Sequence, residues 1–155
     1  MIKKTTIVIL GAVFGEDVAL TRVGDDILVS HLDPIVGAVK NIGWLAVHVA
    51  CNDIATSGAP PRWILLLVLV PTKEDMDLLE QIMRDANRAA KEVGASIIGG
   101  HTGYSAGLSR PLVAVKALDD QLGVEAVPGG EPPVLADRPL ARRGWQRAVV
   151  DLPDR

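Results

Sequence analysis

Residues 41–71 read NIGWLAVHVACNDIATSGAPPRWILLLVLVP, and this stretch sets the architecture. Its first half has helical spacing. Its second half is an unbroken apolar run. At about 100° per residue, Ile42, Leu45, Ala46 and Val49 share one face of a helix over 42–56, and Asp53 falls on that face too. Trp44, His48 and Cys51 fall roughly opposite. A helix with two such faces is expected to sit between a sheet and a partner, which favours a homodimer. Asn41 is the expected N-cap, and Gly58 with Pro60 and Pro61 is the expected stop. The run from Trp63 to Val70 lies between Pro61 and Pro71. It is too short to cross a bilayer as a helix and reads as a buried central strand.

Working outward, TTIVIL is a strand ending at Gly11. DVALTRV and DILVSHL are two strands joined by a GDD turn, with Asp33 ending the second just before Pro34. After the central strand, TKEDMDLLEQIMRDANRAAKEVG is the clearest helix. Thr72 is placed to cap it, acidic residues crowd its first turn, and Gly94 closes it. Its apolar stripe is Leu78, Leu79, Ile82, Met83 and Ala86. ASIIGGHTG reads as a short buried strand running into a Gly-rich turn, and RPLVAVKAL as the last strand. The expected fold is α+β, a mixed sheet of the split βαβ kind with its helices on one face. Residues 1–118 form that domain. The Pro-, Gly- and Arg-rich stretch 119–155 has no sustained period and is expected to be irregular.

Composition narrows the function. A chain of 155 residues that is 48% hydrophobic is long enough and apolar enough for one globular domain. Net charge is -3 and aromatics are 3%. The chain therefore has neither the basic footprint nor the stacking platforms of a nucleic-acid binder. The single cysteine, Cys51, excludes an internal disulfide and a Cys-rich zinc site, and fits a reducing, cytoplasmic setting. No leader or membrane segment is read from the sequence. No Ser/His/Asp order, paired-His metal motif, Walker loop or Rossmann fingerprint occurs.

The acidic positions carry the most information. Asp17, Asp33 and Asp53 each fall at the edge of a regular element, where such domains present ligands to a cleft. A carboxylate on an apolar face is costly without a partner, and no Lys or Arg lies three or four residues from Asp53. Two partners are open to it: a hard cation such as magnesium, or backbone amides of the SGAPP turn. His31 alternates with Asp33 along its strand and points to the same side. In IIGGHTG, Gly99 and Gly100 permit close approach of a phosphate, with His101 facing phosphate or metal. A plain tight turn accounts for the same residues.

Taken together, GEDVAL, the stretch SHLDPIVGAVKNIGWLAVHVACNDIATSGAPPRWILLLVLVP, and GASIIGGHTG resemble the N-terminal domain of the aminoimidazole ribonucleotide synthetase (PurM-like) superfamily. The resemblance runs from about Gly15 to Leu118 and is nearest to the HypE-like, AIR synthase-related branch. It implies ATP with Mg2+ as cofactors, in phosphate transfer or ATP-dependent activation of the kind kinases and ligases perform. It implies a homodimer whose sheets pair, with an Mg-ATP half-site at that interface. By motif it assigns Asp17, Asp33 and Asp53 to the metal. Asn52, Gly99, Gly100, His101 and Thr102 fall with them to the nucleotide. His101 stands where several members have Asp, and GED replaces the usual GDD. The superfamily's C-terminal domain is expected to be absent. The alternatives are therefore a non-catalytic dimerisation module, a truncated pseudoenzyme, or a chain completed by a separate protein.

Overall fold

The computed structural model describes residues 8–11 and 14–122. In chain order the elements are β1 (Val8–Leu10), β2 (Ala19–Val23), β3 (Asp26–Ile35), α1 (Ile42–Thr56), β4 (Trp63–Val70), α2 (Met76–Val93), β5 (Ser96–Tyr104) and β6 (Leu112–Leu122). The sheet order is β1-β2-β3-β6-β4-β5. β4 and β5 pair in parallel through α2, and every other pairing is antiparallel. β6 lies between β3 and β4, which makes β3-α1-β4 a split βαβ unit, as the sequence implies.

Both helices cover one face of the sheet. Ile64, Leu66, Val68 and Val70 of β4 point to that side, beside Val113, Val115 and Ala117 of β6, and all are buried. α1 is the element between two bodies. It packs on β3 and β6, and its far side takes α2. The partner expected on the Trp44–His48 face is not needed there: α2 of the same chain covers it, so this face gives no support for a homodimer. The inward face was placed slightly off: Leu45 and Val49 are half-buried, whereas Val47, Ala50 and Ile54 are fully buried. Contact with α2 as well as the sheet widens the buried stripe beyond a single row.

The α1–α2 seam is unusually close at Gly43. A β-carbon there would stand 2.2 Å from the Ile82 carbonyl oxygen and 3.0 Å from the Ala86 nitrogen. Ala86, Ala89 and Ala90 provide the small facing surface. The seam is also pinned by polar groups. Trp44 Nε1 donates to Glu92 Oε2 at 2.7 Å, and His48 Nε2 reaches the same oxygen at 3.0 Å.

Several boundaries differ from the sequence reading, each for a local reason. β3 does not stop at Asp33. It runs through Pro34 to Ile35, paired with β6. The β2 pairing ends at Ser30, so Pro34 has no ladder partner to lose on that side. Asn41 precedes α1 in a left-handed conformation and makes no side-chain cap. α2 begins at Met76, preceded by Asp75, whose Oδ2 accepts the Thr72 amide; Thr72 is not the cap. Gly94 closes α2 in the left-handed conformation as expected. GGHTG is not a turn after a buried strand. It continues β5, an edge strand that is largely exposed. β6 continues past Leu118 to Leu122, and the expectation for the remaining stretch lies outside the described residues.

The opposite face of the sheet has no covering layer among the described residues. Leu32 is 63% exposed there, with Leu65 also exposed and Trp63, Leu67 and Leu69 half-buried.

Candidate functional site

Where α1 ends over β3, three side chains converge. On β3, His31 and Asp33 are two residues apart and lie on the helix-covered side, in register with buried Ala117 and Val115 of β6. On the last turn of α1, Asp53 comes down to meet them. One ligand atom from each of His31, Asp33 and Asp53 lies within 4.8 Å of the others. His31 Nε2 is 2.8 Å from Asp53 Oδ2. The other ring nitrogen, Nδ1, contacts the Asp17 backbone carbonyl in the loop before β2. A carbonyl only accepts, so Nδ1 carries the proton.

Two partners were open to Asp53, a cation or the backbone amides of the SGAPP turn. Its recorded partner is His31 and not the SGAPP turn. The Ser57 and Gly58 amides of that turn are committed to the Ile54 and Ala55 carbonyls. The site is electrostatically loaded towards a cation. Partial burial holds the Asp53 carboxyl above the usual carboxylate range. The His31 ring opposes this, and the Asp17 and Asp33 charges add to it. The C-terminal end of α1 adds its own partial negative charge. Asp17 stands outside the tight group of three, yet close enough for its charge to be felt at Asp53.

The remaining sequence candidates are placed as follows. Asn52 is half-buried next to Asp53 on α1. Gly99, Gly100, His101 and Thr102 lie on β5, three strands from β3, which is about 14 Å across the sheet. His101 is in register with Leu67 and so lies on the bare face, away from the acidic group. Within this chain the two motifs do not meet. Gly100 has φ +150°, and a β-carbon there would sit 1.9 Å from the Leu66 carbonyl oxygen, so its glycine is a requirement of the β4–β5 pairing. The residue underweighted from sequence is His31. Its alternation with Asp33 was the available signal. Its pairing with Asp53, 22 positions away, was not visible.

Against known proteins, residues 15–118 match the model of the family described as AIR synthase related protein, N-terminal domain. The chain belongs to the AIR synthase-related family. Over 98 residues it is 33% identical to a selenide, water dikinase of Caldanaerobacter subterraneus, covering 61% of this chain and 28% of that protein. A Methanocaldococcus jannaschii protein named for hydrogenase expression/formation is 31% identical over 108 residues, covering 66% of this chain and 32% of that one. Among solved structures, the hydrogenase maturation protein HypE in complex with ATP matches with TM-score 0.57 and 26% identity, over 63% of this chain and 31% of HypE. The AIR synthase-related chain thus spans about a third or less of the length of these relatives. Among its described residues, no helix is long and apolar enough to cross a membrane.

Proposed function

We propose that this AIR synthase-related chain binds ATP with a divalent cation, magnesium in the first instance, and that Asp33 and Asp53 hold the ion with Asp17 beside them. The observation that carries this reading is the convergence of Asp53, Asp33 and His31 at the end of α1. A carboxylate held above its usual range among like charges is a group arranged for a ligand and not for stability. The similarity to HypE, solved with ATP, and to a selenide, water dikinase supports the nucleotide.

The residues fit the group: the Asp33 and Asp53 carboxylates, partly exposed and within reach of one another, offer the oxygen ligands a hard cation takes. Bound there, the ion would neutralise phosphate charge. The chain's own part is positioning. Asp33 and Asp53 would coordinate the ion, and the Asn52 amide, next to Asp53 on α1, would donate to phosphate oxygens. No covalent nucleophile is required. Because Gly99, Gly100, His101 and Thr102 do not meet the acidic group within one chain, the proposal assigns their phosphate contacts to a homodimer formed through the bare sheet face. Phosphate transfer or ATP-dependent activation, and a separate protein completing the site, extend the same reading.

The bare apolar face also favours a second reading, a dimerisation module without nucleotide chemistry. Calorimetric titration of the full chain with ATP, with and without magnesium, after its mass in solution is measured, separates the two. Magnesium-dependent binding to a dimer is expected. A folded dimer that binds no nucleotide would establish the module instead.

A further inference from the structure

Magnesium sites are built from oxygen, and here a nitrogen occupies the centre of the cluster. His31 is held on both sides. Its Nδ1–H is taken by the Asp17 carbonyl, which fixes the tautomer and turns the Nε2 lone pair towards Asp53 and Asp33. The His31 side chain is only 16% exposed and that of Asp53 27%. The Nε2 atom itself is shielded from solvent and, among the described residues, has no hydrogen-bond partner besides the Asp53 contact. A lone pair and a carboxylate oxygen 2.8 Å apart repel unless something positive lies between them. That spacing suits neighbouring ligand atoms around an ion, which stand about 3 Å apart when each is about 2.1 Å from the metal. The backbone carbonyl behind the ring is the usual support for a metal-bound imidazole.

We infer that His31 is itself a ligand, and that the His31–Asp33–Asp53 seat takes a first-row transition cation, manganese through zinc, in preference to magnesium. The inference rests on the divalent-cation reading above and names the class of ion. Imidazole nitrogen adds much to the binding of such ions and little to that of magnesium, which holds to oxygen and water. The competing account seats a proton between His31 and Asp53, making the ring a fixed counter-charge with no metal role.

The test uses the full chain, with Mn2+, Zn2+ and Mg2+ alone as probes, followed by calorimetry and by pulsed electron paramagnetic resonance of the bound Mn2+. In the unaltered protein, nitrogen modulation on the manganese signal is expected, and this reading needs no variant to fold. In His31→Gln the modulation disappears. The preference for Mn2+ and Zn2+ over Mg2+ then falls about tenfold or more, while Mg2+ affinity changes by less than about threefold. Asp33→Asn, by contrast, weakens all three ions together. Mn2+ bound without nitrogen modulation, or an unchanged preference in folded His31→Gln, overturns the role of His31 and leaves Mg-ATP binding standing. Absence of any divalent binding, together with absence of ATP binding, removes the cation reading beneath it as well.

Discussion

The two ends of α1 are built on opposite principles. Near its start, Gly43 lets α2 approach to backbone contact, and small alanines face it across the seam. Beside it, Trp44 Nε1 and His48 Nε2 converge on a single Glu92 oxygen, so a polar pin accompanies the close packing. Near its finish, Asp53 sits among Asp17 and Asp33, with the helix's own negative end behind it. The first arrangement lowers the energy of the folded chain. The second raises it, and among the described residues His31 offsets the repulsion. One helix thus serves as both anchor and site. The rigid seam at one end lets the unfavourable cluster at the other stay in place.

The sharpest way to break this contrast is Gly43→Ala. The added carbon would press on the Ile82 carbonyl, a backbone atom that cannot rotate away. A loss of about 3 kcal/mol is expected in urea denaturation. A near-neutral result would show that the seam has slack. Glu92→Gln probes the same end more gently and should cost about 1 kcal/mol, the scale of one charge-assisted hydrogen bond weakened. Burial tends to raise the Glu92 carboxyl, but the Trp44 and His48 hydrogen bonds and the nearby Arg88 outweigh it and hold the group below its usual range. Its folded-state value is thus the lower one. Its contribution is present above the unfolded pKa and is lost as pH falls through the folded one. The variant and the unaltered protein should accordingly converge in stability in acid. Divergence there would mean that Glu92 acts by packing alone. The smallest effect is expected at Cys51, buried mid-helix with its thiol pushed up to about 12 by burial. It should remain unmodified by a thiol reagent in the folded protein and react only on unfolding. Rapid labelling would mean that α1 opens.

Much of the anchor was legible in the sequence, and the site only in part. β4 and α2 announce themselves by an unbroken apolar run and a clean amphipathic stripe. The two-faced character of α1 was readable from Trp44 and His48, though which residues were most buried depended on where α2 lay. Asp33, Asp53 and Asp17 stood out because each lies at an element's edge. That His31 would close on Asp53 depended on the β3 register and on how far α1 runs, and neither is a local property. Pro34 looked like a strand end because nothing in its neighbourhood reveals that β2 stops pairing at Ser30. The Gly-Gly-His-Thr stretch resembled a turn because glycines usually mark one. Here Gly100 is needed by a close approach to Leu66 within the edge pairing.

The most direct measurement is a thermal melt at neutral pH of the unaltered chain and of Asp53→Asn, each with and without Mg-ATP. Because the folded-state pKa of Asp53 is raised, its protonated form favours folding, and that contribution is lost as pH rises through the folded value. At neutral pH the ionised group therefore costs stability. The account predicts that bare Asp53→Asn melts at or above the unaltered chain and that only the unaltered chain gains from Mg-ATP. A variant that melts well below the unaltered chain, or gains equally from Mg-ATP, would contradict it and make Asp53 a structural carboxylate.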